Sequence, residues 1–259
     1  MTEREKIKEV AKRLFGVSDA PEFEARELVA SAETEETLER MLSRRIAGEP
    51  LQYILGEWEF YSLPFSIGPG VLIPRPDTEI LVDTAIEFIG KREVSVADLC
   101  AGSGCIGIAV AANCKGASVT AVEKSDLAFP FLEENIKRNG VRVTAVKGDI
   151  TEGSFGEYDV ILSNPPYIKS AVIPTLSREV GHEPRLALDG GEDGLFFYRA
   201  ILENWLCRLK KGGMLAVEIG FDQADEVKTL FMKSGLKNIG EKRDYGNNQR
   251  VIFGTLDII

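Results

Sequence analysis

The chain is 259 residues long, 44% hydrophobic and 28% charged, and its 31 Lys and Arg face 41 Asp and Glu for a net charge of −10. That is ordinary globular composition, with ample length for a buried core in one large or two unequal domains. It excludes a disulfide-stapled miniature, and no apolar run reaches the ~18 residues of a membrane span.

The opening MTEREKIKEVAKRLF is charged and amphipathic without the apolar stretch of a signal peptide, which predicts a cytoplasmic protein. Ile7, Val10, Ala11 and Leu14 recur at helical spacing, and Ser18-Asp19-Ala20-Pro21 reads as a cap followed by a first-turn proline. Leu38, Met41, Leu42 and Ile46 form another apolar stripe, stopped by Gly48 and Pro50. Residues 1–50 therefore predict a small helical bundle. From 51 to 76, aromatic and β-branched residues broken by glycine and proline predict a hairpin linker, with Trp58 and Phe60 packing it.

Residues 77–259 begin with an apolar helix ending at Gly90. Strands follow near Val94–Cys100, Ser118–Glu123, Arg142–Lys147, Tyr158–Ser163 and Gly213–Ile219, with helices between most of them. The alternation predicts an α/β domain, a parallel sheet covered by helices on both faces. Lys237–Arg243 and Gln249–Thr255, separated by Gly246-Asn247-Asn248, predict a final antiparallel pair.

Charge and metal-ligand chemistry narrow the partners. Residues 1–70 hold 9 basic and 14 acidic side chains and the remainder 22 and 27, so neither portion is a basic module. Stable nucleic-acid binding, which rests on phosphate neutralisation, is not expected. Cys100, Cys105, Cys114 and Cys207 form no C-x-x-C pair and His182 is the single histidine, which argues against a metal site.

The strand Val94–Cys100 runs into Ala101-Gly102-Ser103-Gly104-Cys105-Ile106-Gly107, a G-x-G-x-x-G turn where a helix begins. Such a turn suits either a dinucleotide or S-adenosylmethionine. Charge separates the two: Asp98 repels a pyrophosphate but can accept hydrogen bonds from the ammonium of a methionine moiety. Glu123, at the end of the next strand, can accept both ribose hydroxyls, a feature common to both cofactors. Asp149 in Lys147-Gly148-Asp149-Ile150 can take the adenine amino group while Ile150 packs on the ring. Taken singly, Asp98 reads equally as a strand-end turn residue and Asp149 as an Asx-turn. Three acidic residues at the ends of three successive strands around one glycine loop point instead to a ligand.

Tyr158-Asp159-Val160-Ile161-Leu162-Ser163 ends in Asn164-Pro165-Pro166-Tyr167. A plain turn has no need of the second proline or the tyrosine. The Asn164 side-chain oxygen and the Pro165 carbonyl can both accept from an NH₂ group, the prolines holding the backbone, and Tyr167 offers a flat face for a planar amide or base. Acceptors so placed activate an amide or exocyclic amine, whose lone pair is otherwise delocalised, without a metal or a histidine base.

Asp-Leu-Cys-Ala-Gly-Ser-Gly-Cys-Ile-Gly, then Ala-Val-Glu, then Ser-Asn-Pro-Pro-Tyr-Ile resembles a class I S-adenosylmethionine-dependent methyltransferase acting on a planar NH₂ nitrogen. Gly48–Gly56, Ile73–Glu79 and His182–Leu195 are similar to the HemK family, the peptide chain release factor glutamine N5-methyltransferases. The similarity covers nearly the whole chain. It implies a Rossmann-like catalytic domain of seven strands in the order 3-2-1-4-5-7-6. It also implies a helical bundle that recognises a release factor, and transfer of a methyl group to a glutamine side-chain amide. Cys100, Ala101, Gly102, Ser103, Gly104, Glu123, Ile150 and Asn164 would contact S-adenosylmethionine, and Asn164 to Tyr167 would hold the glutamine. Cys100-Ala101 stands where Gly-Thr is common in the family, Glu123 where Asp is common, and Ile150 where an aromatic is frequent.

Arg75 and Glu79 are expected to shape the cleft where linker meets catalytic domain, and His182 to be structural rather than a base. A monomer without membrane contact is expected. Two other functions fit parts of the pattern. An adenine-N6 DNA or guanine-N2 RNA methyltransferase uses the same grip on a flipped base but sits poorly with the acidic charge. A non-catalytic S-adenosylmethionine-binding adaptor has no use for Asn164 to Tyr167.

Overall fold

The computed structural model describes residues 2–257. Helix α1 (Glu3–Leu14) starts in a capping box, the Thr2 hydroxyl accepting from the Glu5 amide while the Glu5 carboxylate accepts from the Thr2 amide. Helix α2 (Pro21–Ser31) begins with its proline at the first turn, but Ser18 caps only the Ala20 amide and no side chain caps the helix itself. Helix α3 (Glu35–Ile46) is capped by Thr34 and buries Leu38, Met41 and Leu42; Ile46, the last member of the expected stripe, is exposed. These residues close on Val10, Leu14 and Leu28 in one apolar cluster.

The segment expected to be all hairpin opens with a turn of helix, α4 (Leu51–Leu55), whose Leu51 and Ile54 join the bundle's cluster. Gly56, at φ 79°, ends it in the left-handed region open to glycine. The hairpin is β1 (Glu57–Phe60) paired with β2 (Leu63–Ser66), turning on Tyr61 and Ser62, both with φ above 50°. Trp58 packs edge-on against Phe23, and buried Phe60 against Phe65, so both aromatic residues pack as expected.

A 3₁₀ turn (Pro76–Thr78) leads into α5 (Glu79–Ile89) and then an alternating series. Its members are β3 (Val94–Leu99), α6 (Cys105–Asn113), β4 (Ala117–Glu123), α7 (Phe129–Asn139), β5 (Val143–Lys147), β6 (Tyr158–Ser163), α8 (Phe196–Asn204), β7 (Leu209–Glu218), α9 (Ala224–Lys233), β8 (Lys237–Arg243) and β9 (Gln249–Thr255). The strands form one sheet in the order β5-β4-β3-β6-β7-β9-β8. All neighbours are parallel except β9, which runs antiparallel to both β7 and β8. Counted within this domain the order is 3-2-1-4-5-7-6, as the resemblance implied.

One face of the sheet is sealed by α5 and α6, through Leu81, Val82, Ile106 and Ile108. The other is sealed by α8 and α9, through Tyr198, Ile201, Val227 and Phe231. The chain builds outward from β3 to β5 and then returns to place β6 on the other side of β3. A crevice opens at the strands' C-terminal ends where that order reverses. Among the described residues no helix is long and apolar enough to cross a membrane.

Two buried polar side chains join the parts. Asn135 of α7 accepts from the Ser66 amide (2.6 Å) and donates to the Ser66 and Ser103 carbonyls, tying the hairpin to the glycine loop. Arg45 of α3, 1% exposed, bonds both oxygens of Glu24 and reaches Glu179 in the segment between β6 and α8.

Candidate active site

An open cleft of about 910 Å³ lies at the C-terminal ends of β3, β4, β5 and β6. Its apolar walls include Ile106, Val122 and Ile150, and its polar edge includes Glu123, Asp149 and Asn164. Cys100, Ala101, Gly102 and Ser103 also line it. Gly102 and Gly104 have φ of 56° and 82°, so the loop reverses tightly before α6. A Cβ on Gly104 would come within 2.5 Å of Leu132 Cδ1, so a larger residue there would have to shift that side chain of α7 as well as take a positive φ. Cys100 adopts φ 60°, a left-handed conformation that glycine takes without strain.

Glu123 is buried at the end of β4 and both its oxygens are engaged: Oε2 accepts from the Gly102 amide at 2.7 Å and Oε1 from the Ser125 amide at 2.5 Å. It therefore shapes the glycine loop as well as lining the cleft, and each oxygen keeps a second lone pair. Asp149 Oδ1 accepts from the Thr151 amide and hydroxyl, an Asx-turn, while Oδ2 pairs with Lys124 at 2.5 Å. Burial raises its pKa, but Lys124 and Thr151 outweigh that and the net shift is downward.

Four of the expected contact residues stand outside the lining of this cleft. Asp98 does not line the cleft: fully buried beneath the loop, its Oδ2 accepts from the Gly107 amide at 2.9 Å and its Oδ1 has no partner among the described residues. Desolvation pushes its pKa up to about 7, against the opposing Gly107 hydrogen bond. Tyr167 offers the cleft no flat face; its ring packs against the α8 and α9 side of the core and its hydroxyl donates to Glu218 Oε1 at 3.3 Å. Gly104 and Pro165 also stand outside the lining, whereas Pro166 is in it.

Asn164 lines the cleft. Its Nδ2 donates to Thr78 Oγ1 at 3.2 Å, and among the described residues its Oδ1 has no donor. Arg75 lines the same cleft and pairs with buried Glu183, which also accepts from the Ile73 amide at 3.1 Å. Glu79 lies elsewhere, accepting from the Tyr61 amide at 2.8 Å and pinning the hairpin turn. His182 is exposed in a 3₁₀ turn (Val180–His182) outside the cleft.

Residues that sequence reasoning did not assign complete the site. The Ile168 amide donates to the Leu188 carbonyl and the Gly190 amide to the Ile168 carbonyl, so the chain 188–190 runs alongside the end of the Asn-Pro-Pro-Tyr segment. Gln223 donates to the Tyr167 carbonyl at 3.0 Å. The Gly-Gly at 190–191 and Gly194 were the available signals, since closely spaced glycines mark a close backbone approach.

Family models match in two places: a PrmC N-terminal domain over residues 14–56 and a methyltransferase small domain over residues 76–186. A release factor glutamine methyltransferase of Clostridium botulinum is 39% identical over 93% of this chain and 85% of its own length. The chain belongs to the release factor glutamine methyltransferase family. Another member of that family, from Geobacter sulfurreducens, is 42% identical over 83% of this chain and 76% of its own length. In fold alone, the chain is similar to a methyltransferase from Pyrococcus furiosus, with a TM-score of 0.60 at 19% identity over 85% of this chain and 100% of that one. The family's N-terminal region matches α2, α3 and α4 together, consistent with the single apolar cluster that joins Leu28, Leu42 and Ile54.

Proposed function

We propose that Asn164 supplies the acceptor for this protein's reaction, methylation of the side-chain amide nitrogen of a release factor glutamine. The reaction is that of the family, and the residues are read from geometry. The observation that carries the reading is Asn164 at the cleft, held by the bond from Nδ2 to Thr78 and with no donor to its Oδ1 among the described residues.

The cleft fits S-adenosylmethionine. Its walls are apolar where an adenine ring is to be covered, and Glu123 and Asp149 present carboxylates at its edge. Buried Asp98 Oδ1, without a partner among the described residues, adds negative charge beneath the loop when ionised, favourable for a cationic methionine moiety. When bound, S-adenosylmethionine supplies an electrophilic methyl group on a sulfonium.

The chain's own residues do the rest. A glutamine amide is a poor nucleophile because its nitrogen lone pair is delocalised into the carbonyl. Asn164 Oδ1 accepts one of its N–H bonds. As the nitrogen becomes tetrahedral its protons acidify, and this acceptor binds that state more strongly than the planar amide. Arg75 and Asn164 narrow the approach and align the nitrogen, and one proton then leaves to water. The helical bundle, tied to the catalytic domain by Arg45 and Glu179, supplies a surface for recognising the release factor that a lone glutamine lacks. The four free cysteines agree with a reducing, cytosolic compartment.

The test is incubation with labelled S-adenosylmethionine and separate pools of release factor, DNA and RNA. Label is expected in release factor glutamine alone, and Asn164→Ala is expected to lower single-turnover rate by ~10²–10³ without loss of cofactor binding. A wild-type rate in that variant refutes the grip.

A further inference from the structure

We infer that Glu218 is a positioning residue for methyl transfer, acting through Thr78 to fix which atom of the Asn164 amide faces the substrate. The inference rests on the grip proposed above and deepens it.

Glu218 ends β7, only 2% exposed, next to the strand that delivers Asn164. Its Oε1 accepts from Tyr167, and among the described residues its Oε2 has no hydrogen-bond partner. Thr78, 2% exposed, stands beside this carboxylate, and its side chain favours the ionised form. The Thr78 hydroxyl already accepts from Asn164 Nδ2. Its own proton is therefore free to be given, and the open acceptor beside it is Glu218.

The direction of this chain follows from the inventory of donors. An ionised carboxylate only accepts, so the Thr78 proton turns toward Glu218 and Thr78 Oγ1 can only accept from Asn164. The Asn164 amide must then offer NH₂ to Thr78 and Oδ1 to the substrate. If Glu218 carries a proton it can donate to Thr78. The Thr78 proton is then released toward Asn164 Oδ1, the amide turns over, and its NH₂ meets the NH₂ of the substrate, donor against donor. A carboxylate that never touches the substrate thus decides whether the grip exists.

Burial holds the Glu218 pKa up at about 7, against the lowering effects of Thr78, Arg250 and Tyr167. The groups facing it are Tyr167, Asp77 and Arg250, with Tyr198 of α8 and Cys105 of α6. Arg250 is itself shared with Asp244 and Asp77, so Glu218 is not fully neutralised by it.

The experiment measures single-turnover methylation of release factor against pH for wild type, Glu218→Gln, Thr78→Val and the double variant. Glu218→Gln is expected to slow methylation about tenfold or more at pH 8, with KM for release factor within threefold of wild type and cofactor affinity unchanged. Wild-type rate should fall as pH drops through about 7, and that limb should vanish in Glu218→Gln. Asp98 also titrates near 7, but its contribution would persist in Glu218→Gln, which separates the two. On the Thr78→Val background Glu218→Gln should add less than twofold, since the relay is already cut. A wild-type rate in Glu218→Gln, an unchanged pH limb, or multiplying effects in the double variant would overturn the inference. Should Glu218→Gln not fold, an undiminished rate in Thr78→Val overturns it equally. A wild-type rate in Asn164→Ala instead removes the underlying grip, an outcome read independently of Glu218.

Discussion

Gly190 lies flat against Tyr167: a Cβ at position 190 would come within 2.6 Å of the Tyr167 Cα and 2.9 Å of the Pro166 carbonyl oxygen. Because the obstructing atoms are backbone, Gly190→Ala must displace the segment that carries Asn164. A displacement near 1 Å costs about 10²-fold in a reaction that depends on alignment. Single-turnover methylation should fall by about that factor. Cofactor affinity by calorimetry should stay within twofold, since Gly190 does not line the cleft.

Glu123 accepts from two backbone amides at once, those of Gly102 and Ser125. Glu123→Ala leaves both donors without their acceptor and removes a carboxylate from the cleft. S-adenosylmethionine binding should weaken by ~1–3 kcal/mol, roughly 5- to 150-fold. Glu123→Gln, with one side-chain acceptor atom instead of two, should fall between. Titration calorimetry of the three proteins orders them; equal affinities would remove Glu123 from the cofactor site.

Asp98 predicts an unusual pH dependence of stability. Its folded pKa, pushed up to about 7, lies above its unfolded value of 3.8, so the folded state holds the proton more tightly. That contribution is fully present below about pH 4 and is lost as pH rises through about 7, at no more than about 1.4 kcal/mol per pH unit. Asp98→Asn keeps an acceptor for the Gly107 amide and cannot ionise. Its melting temperature, measured without cofactor, should therefore decline less than that of wild type between pH 5 and 8. Parallel curves would show that Asp98 does not titrate in this window.

Arg45 and its two carboxylates predict unequal costs. Arg45→Ala strands Glu24, whose side chain is 12% exposed, and should destabilise the protein by roughly 3 kcal/mol or more. Glu179→Ala removes a partner that is 46% exposed and should cost about 1 kcal/mol or less. Chemical denaturation of both variants tests the ranking; a larger loss for Glu179→Ala would contradict it.

The alternating strands, the glycine turn and the Asn-Pro-Pro-Tyr segment were legible in sequence because each is written in neighbouring residues. Period, turn chemistry and proline stiffness act over a few positions, and they locate Asn164 and the cofactor loop without reference to the rest of the chain. The strand order followed from resemblance, not from periodicity, whereas the helical bundle was legible in apolar spacing. The place of Asp98 beneath the loop, outside the cleft lining, is something that spacing cannot supply. β3 is buried on both faces, so alternation does not say which side a polar residue meets, and Asp98 points below the loop.

The direction of Tyr167 was hidden for a different reason: its hydroxyl goes to Glu218, 51 residues further along the chain. Thr78 and Glu218 likewise look ordinary in sequence, a threonine before a helix and an acid ending a strand. Tertiary structure alone sets them beside Asn164, 86 residues from Thr78. The cost of leaving a polar group unpaired in the interior then ties together groups that no local pattern relates. Local patterns marked Asn164 and its prolines, while the packing of distant elements decided which way their atoms face.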